Sequence, residues 1–148
     1  MKISDFLSPA DVVVDFSASD KKKLLLELAR KSGAAFDLPA DHAAAELAKR
    51  EQLGSTGMGG GVAIPHARFH QIKRPYGMLV RIRKPIDFDA LDGKPVDLVF
   101  LLLLPEAVEG GQLSALALIA RKLRDPAIAV ALRRARDSAE IYRVLVAD

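Results

Sequence analysis

Between Pro95 and Pro105 the chain reads Val-Asp-Leu-Val-Phe-Leu-Leu-Leu-Leu, with no apolar–polar alternation from Leu98 to Leu104. An extended segment of this kind has no polar face to turn to water, so it reads as a central strand over Asp97 to Leu104, buried on both sides. The run is far too short to span a bilayer. A central strand needs partners at both edges and layers on both faces. Val12-Val13-Val14 is a candidate short strand. Gly77 to Lys84 alternates at Val80, Arg81, Ile82 and Arg83, as a half-exposed strand would. Val62-Ala63-Ile64 is a short apolar segment ending at Pro65-His66.

The covering layers read as helices. Ser19 is the expected N-cap of a helix to about Lys31, with Leu24, Leu25, Leu28 and Ala29 on one face and Gly33 as its stop. A second helix follows Leu38-Pro39 and runs to about Gln52, turning Ala43, Ala44, Leu47 and Ala48 inward. Gln112 to Arg124 carries Leu113, Leu116, Ala117, Ala120 and Leu123 at helical spacing. Asp125-Pro126 restarts a helix, and Asp137 with Glu140 forms an expected capping box for a last one. Strands mixed with helices on a buried sheet define an α/β or α+β fold. The 148 residues suit a single domain over 1–148, and no repeat or low-complexity tract suggests a linker.

Composition excludes several functions. Without cysteine there is no disulfide, thiolate nucleophile or zinc-thiolate site. The start, Met1-Lys2-Ile3-Ser4-Asp5, lacks the pattern of a secretory signal, and neither membrane insertion nor secretion is expected. The net charge of +3 comes from dispersed residues (Lys21 to Lys23, Arg81 to Lys84, and Arg121 to Arg136) with 5% aromatics. A nucleic-acid binder would more often interleave such charge with stacking rings, so these residues read as solvated faces and no nucleic-acid partner is expected.

The chemistry concentrates between Arg50 and Arg68. Arg50, Ser55, Thr56 and five glycines (Gly54, Gly57, Gly59, Gly60 and Gly61) precede His66. Glycine-rich backbone near an arginine suits an anion, because exposed N–H groups approach phosphate oxygens without a Cβ in the way. Known nucleotide motifs fail. No lysine lies between Arg50 and Lys73 to complete a Walker A loop, and Val62 stands where a dinucleotide fingerprint needs glycine. Ser55 is not in a Gly-x-Ser-x-Gly elbow. His66 and His70 are four apart, a metal-ligand spacing only on a helix, which Pro65 opposes. His42 and His70 read as surface residues. His66 is either a strand-end cap or a nucleophile, and Arg50 either a surface ion pair or a phosphate partner. Their company favours the chemical readings. A histidine nucleophile is neutral, with one nitrogen carrying the lone pair and the other holding its proton in a hydrogen bond. Once phosphorylated it needs donors such as an arginine fork.

Residues 50–68, above all Gly54-Ser55-Thr56-Gly57 and Val62-Ala63-Ile64-Pro65-His66-Ala67, resemble the phosphorylation-site signature of the fructose/mannitol-type enzyme IIA domains of the bacterial phosphotransferase system. The stretch from Pro85 to Leu98 looks like the nitrogen-regulatory branch of that family. The likeness continues through the Leu-x-x-Leu-x-Leu helix at 113–118 and the Ser138-Ala139-Glu140-Ile141-Tyr142 ending. It implies a single mixed β-sheet flanked by helices on both sides.

The resemblance also implies that His66 accepts a phosphoryl group from an HPr-like phosphocarrier of the nitrogen branch (NPr), giving a tele-phosphohistidine, with Arg50 as charge partner. Ser55, Thr56, Gly57 and Gly61 are the expected phosphate cradle. Neither a metal nor an organic cofactor is expected. In that branch the protein acts in the cytoplasm by binding regulatory targets according to its phosphorylation state, with potassium-transport or sensor proteins as the usual association. One position departs: where family members often carry a second histidine, this chain has Gln112, which can donate a hydrogen bond but not carry a proton. Two rival expectations share the sequence: a sugar-specific IIA component passing phosphate to a IIB domain, and an interaction module independent of phosphorylation.

Overall fold

The computed structural model describes residues 1–107 and 110–148, except for the side chains of 110–114. Its strands are β1 (Val12–Phe16), β2 (Gly57–Gly59), β3 (Val62–Ala63), β4 (His66–Phe69), β5 (Tyr76–Ile86) and β6 (Val96–Pro105). Its α-helices are α1 (Lys21–Gly33), α2 (Ala40–Gln52), α3 (Gly110–Arg124), α4 (Pro126–Arg134) and α5 (Ser138–Val146). The described strands form one mixed sheet in the order β1-β5-β6-β3-β2, with β4 also on β6.

The apolar run becomes β6, antiparallel to β5 on one side and parallel to β3 and β4 on the other. Its side chains alternate between two cores. Val99, Leu101 and Leu103 pack with Leu24, Leu28 and Leu47 of α1 and α2. Leu98, Phe100, Leu102 and Leu104 pack with Ile119, Leu132 and Ile141 of α3, α4 and α5. Both faces are therefore dry, as a run without polar residues requires.

The partner edge positions the site. Val62 pairs with Leu98, Ala63 with Val99, His66 with Leu102 and Phe69 with Pro105. The offset never changes, so β3 and β4 together line one edge of β6, interrupted at Ile64-Pro65. Pro65 has no N–H to donate to a ladder, yet its carbonyl still accepts from Leu102 N at 3.0 Å. Register thus carries across the break and delivers His66 at its far side.

Several local expectations change. Asp20, not Ser19, caps α1, accepting from Lys23 N at 2.8 Å; both residue types cap well, and the carboxylate is nearer the first free N–H groups. The alternation expected over Gly77 to Lys84 is present from Val80 to Lys84, whereas Gly77 to Leu79 is buried on both faces, Met78 in the core with α1 and α2 and Leu79 in the core with α3, α4 and α5. Arg81 is not a solvated charge there: its Nη1 donates to the carbonyls of Leu132 (2.9 Å) and Ala135 (2.7 Å), closing the end of α4. Asp137 caps α5 through Glu140 N at 2.8 Å, but the Glu140 carboxylate accepts from Arg136 N instead of completing a box with Asp137.

Candidate functional site

Helix α2 ends in a turn that separates two consecutive residues. Neighbours on a helix point about 100° apart, and here Arg50 reaches a cleft while Glu51 turns into the protein at 9% exposure. Arg50 Nη1 donates to Gly54 O at 2.8 Å, which holds the guanidinium over the turn that follows the helix. The cleft has a volume of about 660 Å³ and is lined by Lys49, Arg50, Leu53, His66, Arg68 and Leu104, among others. A larger cleft of about 800 Å³ lies by His70 and Lys73, beyond the end of β4, but contains neither His66 nor Arg50.

His66 opens β4, where its Nδ1 lies 2.9 Å from Ile64 O. A carbonyl only accepts, so Nδ1 carries the proton and Nε2 is left with the lone pair. Burial pushes the imidazole below its ordinary range. The Ile64 carbonyl and Glu51 pull it up, whereas Arg50 and Arg68 push it further down. The neutral form of one defined tautomer is the form a nucleophile requires.

The structure brings His66 and Arg50 to one cleft, but it gives the expected cradle other tasks. Ser55 Oγ donates to Phe88 O at 2.8 Å and accepts from Gly57 N at 3.0 Å. Thr56 spends its N–H (3.0 Å) and its hydroxyl on the Glu51 carboxylate. Gly57 passes so close to Ala90 that a Cβ would lie 2.9 Å from its Cα. Gly61, at φ +80°, packs against Arg133 and Asp97 at the opposite end of the interrupted edge. Glycine here serves close packing and a left-handed turn, and none of these four residues lines the cleft. Gln112, expected as a further donor, lies outside the residues whose side chains are described.

Arg68 and Leu53 were not singled out from the sequence. Arg68 had a readable signal: two residues beyond His66 on an extended strand, it shares the same face. Leu53 is 85% exposed on the rim of the cleft, and a leucine after the end of a helix carries no such signal.

A cleft with a tautomer-fixed imidazole, its pKa lowered by burial, and arginines at its wall has the chemistry to receive an anion on a mixed sheet. Residues 5–147 match the family described as the phosphoenolpyruvate-dependent sugar phosphotransferase system, EIIA 2. The chain belongs to this family, whose members are phosphotransfer components. Within it, the likeness runs to nitrogen regulatory proteins. That of Bradyrhizobium diazoefficiens is 43% identical over 145 residues, covering 98% of this chain and 95% of the relative. That of Pseudomonas aeruginosa is 37% identical, covering 99% of this chain and 96% of the relative. The crystal structure of nitrogen regulatory protein IIA-Ntr from Neisseria meningitidis superposes with a TM-score of 0.91 at 37% identity, over 97% of this chain and 98% of that one. Among the described residues no helix is long and apolar enough to cross a membrane.

Proposed function

We propose that residues 1–148 act as one EIIA domain that relays a phosphoryl group through His66 in the cytoplasm and regulates target proteins according to its phosphorylation state. The observation that carries this reading is the Nδ1 contact of His66 with Ile64 O at 2.9 Å, beside Arg50 and Arg68 in one cleft. The Nε2 lone pair attacks phosphorus on the phosphohistidine of an HPr-like carrier of the nitrogen branch. The donor N–P bond breaks, and its electron pair returns to the donor ring. His66 keeps its Nδ1 proton, so the ring of the phosphohistidine is positively charged beside its anionic phosphoryl group, and its Nδ1–H is met by the Ile64 carbonyl. Arg50 supplies a planar, permanently charged fork for the phosphoryl oxygens. Exchange between two histidines is close to isoenergetic, so what the protein contributes is orientation and charge stabilisation. The added negative charge at a cleft rimmed by Leu53 and Leu104 then changes which partner surfaces can dock.

The test is intact-mass analysis after incubation with phosphoenolpyruvate, enzyme I and the carrier, comparing wild type with His66→Ala. One acid-labile phosphoryl adduct in wild type and none in the variant is expected. No adduct in wild type, with a carrier active on another IIA protein, would overturn the relay.

A further inference from the structure

Glu51 is adjacent in sequence to the arginine of the cleft but takes no part in the cleft's lining. Its carboxylate is buried and fully committed. Oε1 accepts from Thr56 N at 3.0 Å, Oε2 accepts from the Thr56 hydroxyl, and Lys21 Nζ lies 3.0 Å from Oε1. Both donors of Thr56 are thus held by one rigid acceptor. The carbonyl of Thr56 in turn accepts from Ile64 N at 3.1 Å. Ile64 is the residue whose own carbonyl takes the Nδ1 proton of His66 at 2.9 Å. Pro65, which separates Ile64 from His66, can add no backbone N–H of its own to hold the segment. The Ile64 backbone is therefore held by the Thr56 carbonyl on one side and, through the Pro65 carbonyl, by Leu102 N at 3.0 Å on the other.

We infer that Glu51 is a positioning residue for His66, acting through Thr56 and Ile64 to aim the carbonyl that selects the imidazole tautomer. Lys21 completes the device. It stands in the first turn of α1, where a cation opposes the helix dipole, and it lies 4.5 Å from the centroid of the Phe88 ring. Its placement is accounted for by the buried carboxylate it neutralises, since an unpaired charge there would be costly. The chain of contacts joins the start of α1 and the last turn of α2 to one ring nitrogen. The same α2 turn that presents Arg50 to the phosphoryl group thereby also sets which nitrogen of His66 is the nucleophile. This inference rests on the relay reading only for its consequence in rate; its structural content concerns the tautomer alone.

Two measurements on the full chain separate these. Nitrogen-15 NMR of the His66 ring, recorded without any phosphate donor, reads the tautomer. The initial rate of adduct formation with the phosphorylated carrier reads the consequence. Wild type and Thr56→Ser, which retains both donors, should hold the proton on Nδ1. Glu51→Ala and the isosteric Thr56→Val should show a mixed tautomer and a rate about ten- to a hundredfold lower, the scale expected for a misdirected reacting group. Circular dichroism establishes that each variant is folded. Should Glu51→Ala fail to fold, Thr56→Val carries the test. A folded Thr56→Val with wild-type tautomer and rate would overturn the inference, as would loss of the tautomer in Thr56→Ser. If wild type forms no adduct while the tautomer responds as expected, the relay falls and the positioning chain stands.

Discussion

The interrupted edge of β6 formed by β3 and β4 has an arginine near each end, and the two are held in opposite ways. At the Gly61 end, Arg133 grips Asp97 through Nε and Nη2 at 2.9 Å each and also donates to Gly60 O at 2.6 Å. Gly60 N is taken by Asp92 at 3.0 Å. That guanidinium is a clip, its charge answered by a carboxylate in a two-pronged fit. At the His66 end, Arg50 meets one neutral carbonyl and forms no ion pair among the described residues. Its charge is held in place without being neutralised. A guanidinium closed on a carboxylate stabilises a turn, and one tethered only by a carbonyl beside a neutral imidazole is available to an incoming anion.

The contrast breaks most readily at Arg50. Arg50→Ala should lower the rate of phosphoryl acceptance by about a hundredfold or more, the scale of removing a donor aimed at developing charge. Folding stability should fall by no more than about 1 kcal/mol, the scale of the one hydrogen bond to Gly54 O that a half-buried Arg50 gives up. Rapid-quench kinetics and urea unfolding check the two halves, and an unchanged rate would remove the distinction between the ends. Gly61→Ala should do the reverse. Its φ of +80° and the closeness of Arg133 and Asp97 predict a loss of about 1–3 kcal/mol in unfolding free energy, with the adduct still formed at 25 °C.

Arg133→Ala should be milder. Its fork to Asp97 is partly solvated, so a loss near 1 kcal/mol is expected, seen as a lower urea midpoint with unchanged slope. The smallest effect is in pH. Because burial lowers the His66 pKa from 6.5 in the folded protein, the unfolded chain binds the proton more readily. The stability associated with the neutral ring is complete above pH 6.5 and declines as pH falls below it. Wild type should therefore lose more stability than His66→Gln across the window just below pH 6.5. Equal losses would mean that the ring is not desolvated.

Much of the fold was legible because its signals are local. The β6 run, the helical spacing of Leu24 with Leu28 and of Ala43 with Leu47, and the Asp125-Pro126 restart each depend on residues near one another in sequence. The half-exposed reading of Gly77 to Lys84 holds from Val80 to Lys84 but not at Gly77 to Leu79, because burial of a strand's faces depends on which layers cover them. At the site, the shared cleft of His66 and Arg50 lies within one readable stretch of sequence, whereas the contacts made by Ser55, Thr56, Gly57 and Gly61 were not legible there. The same glycines and hydroxyls that suit an anion also suit a hairpin packed on Ala90 and a cap on Phe88, and composition cannot separate the two uses.

The amino-acid sequence alone determined that this chain buries a central strand between helices and that an arginine and a histidine flank a glycine-rich turn. Those properties follow from hydrophobic periodicity and from residue chemistry, which act over a few positions. Only the tertiary structure decided that His66 presents Nε2 as its lone-pair nitrogen, that Thr56 serves Glu51, and that Gly61 lies with Arg133 at the far end of the edge. Each of these is a hydrogen bond or close contact that exists once the chain has been brought back on itself, and its direction is set by partners that the spacing along the chain does not specify.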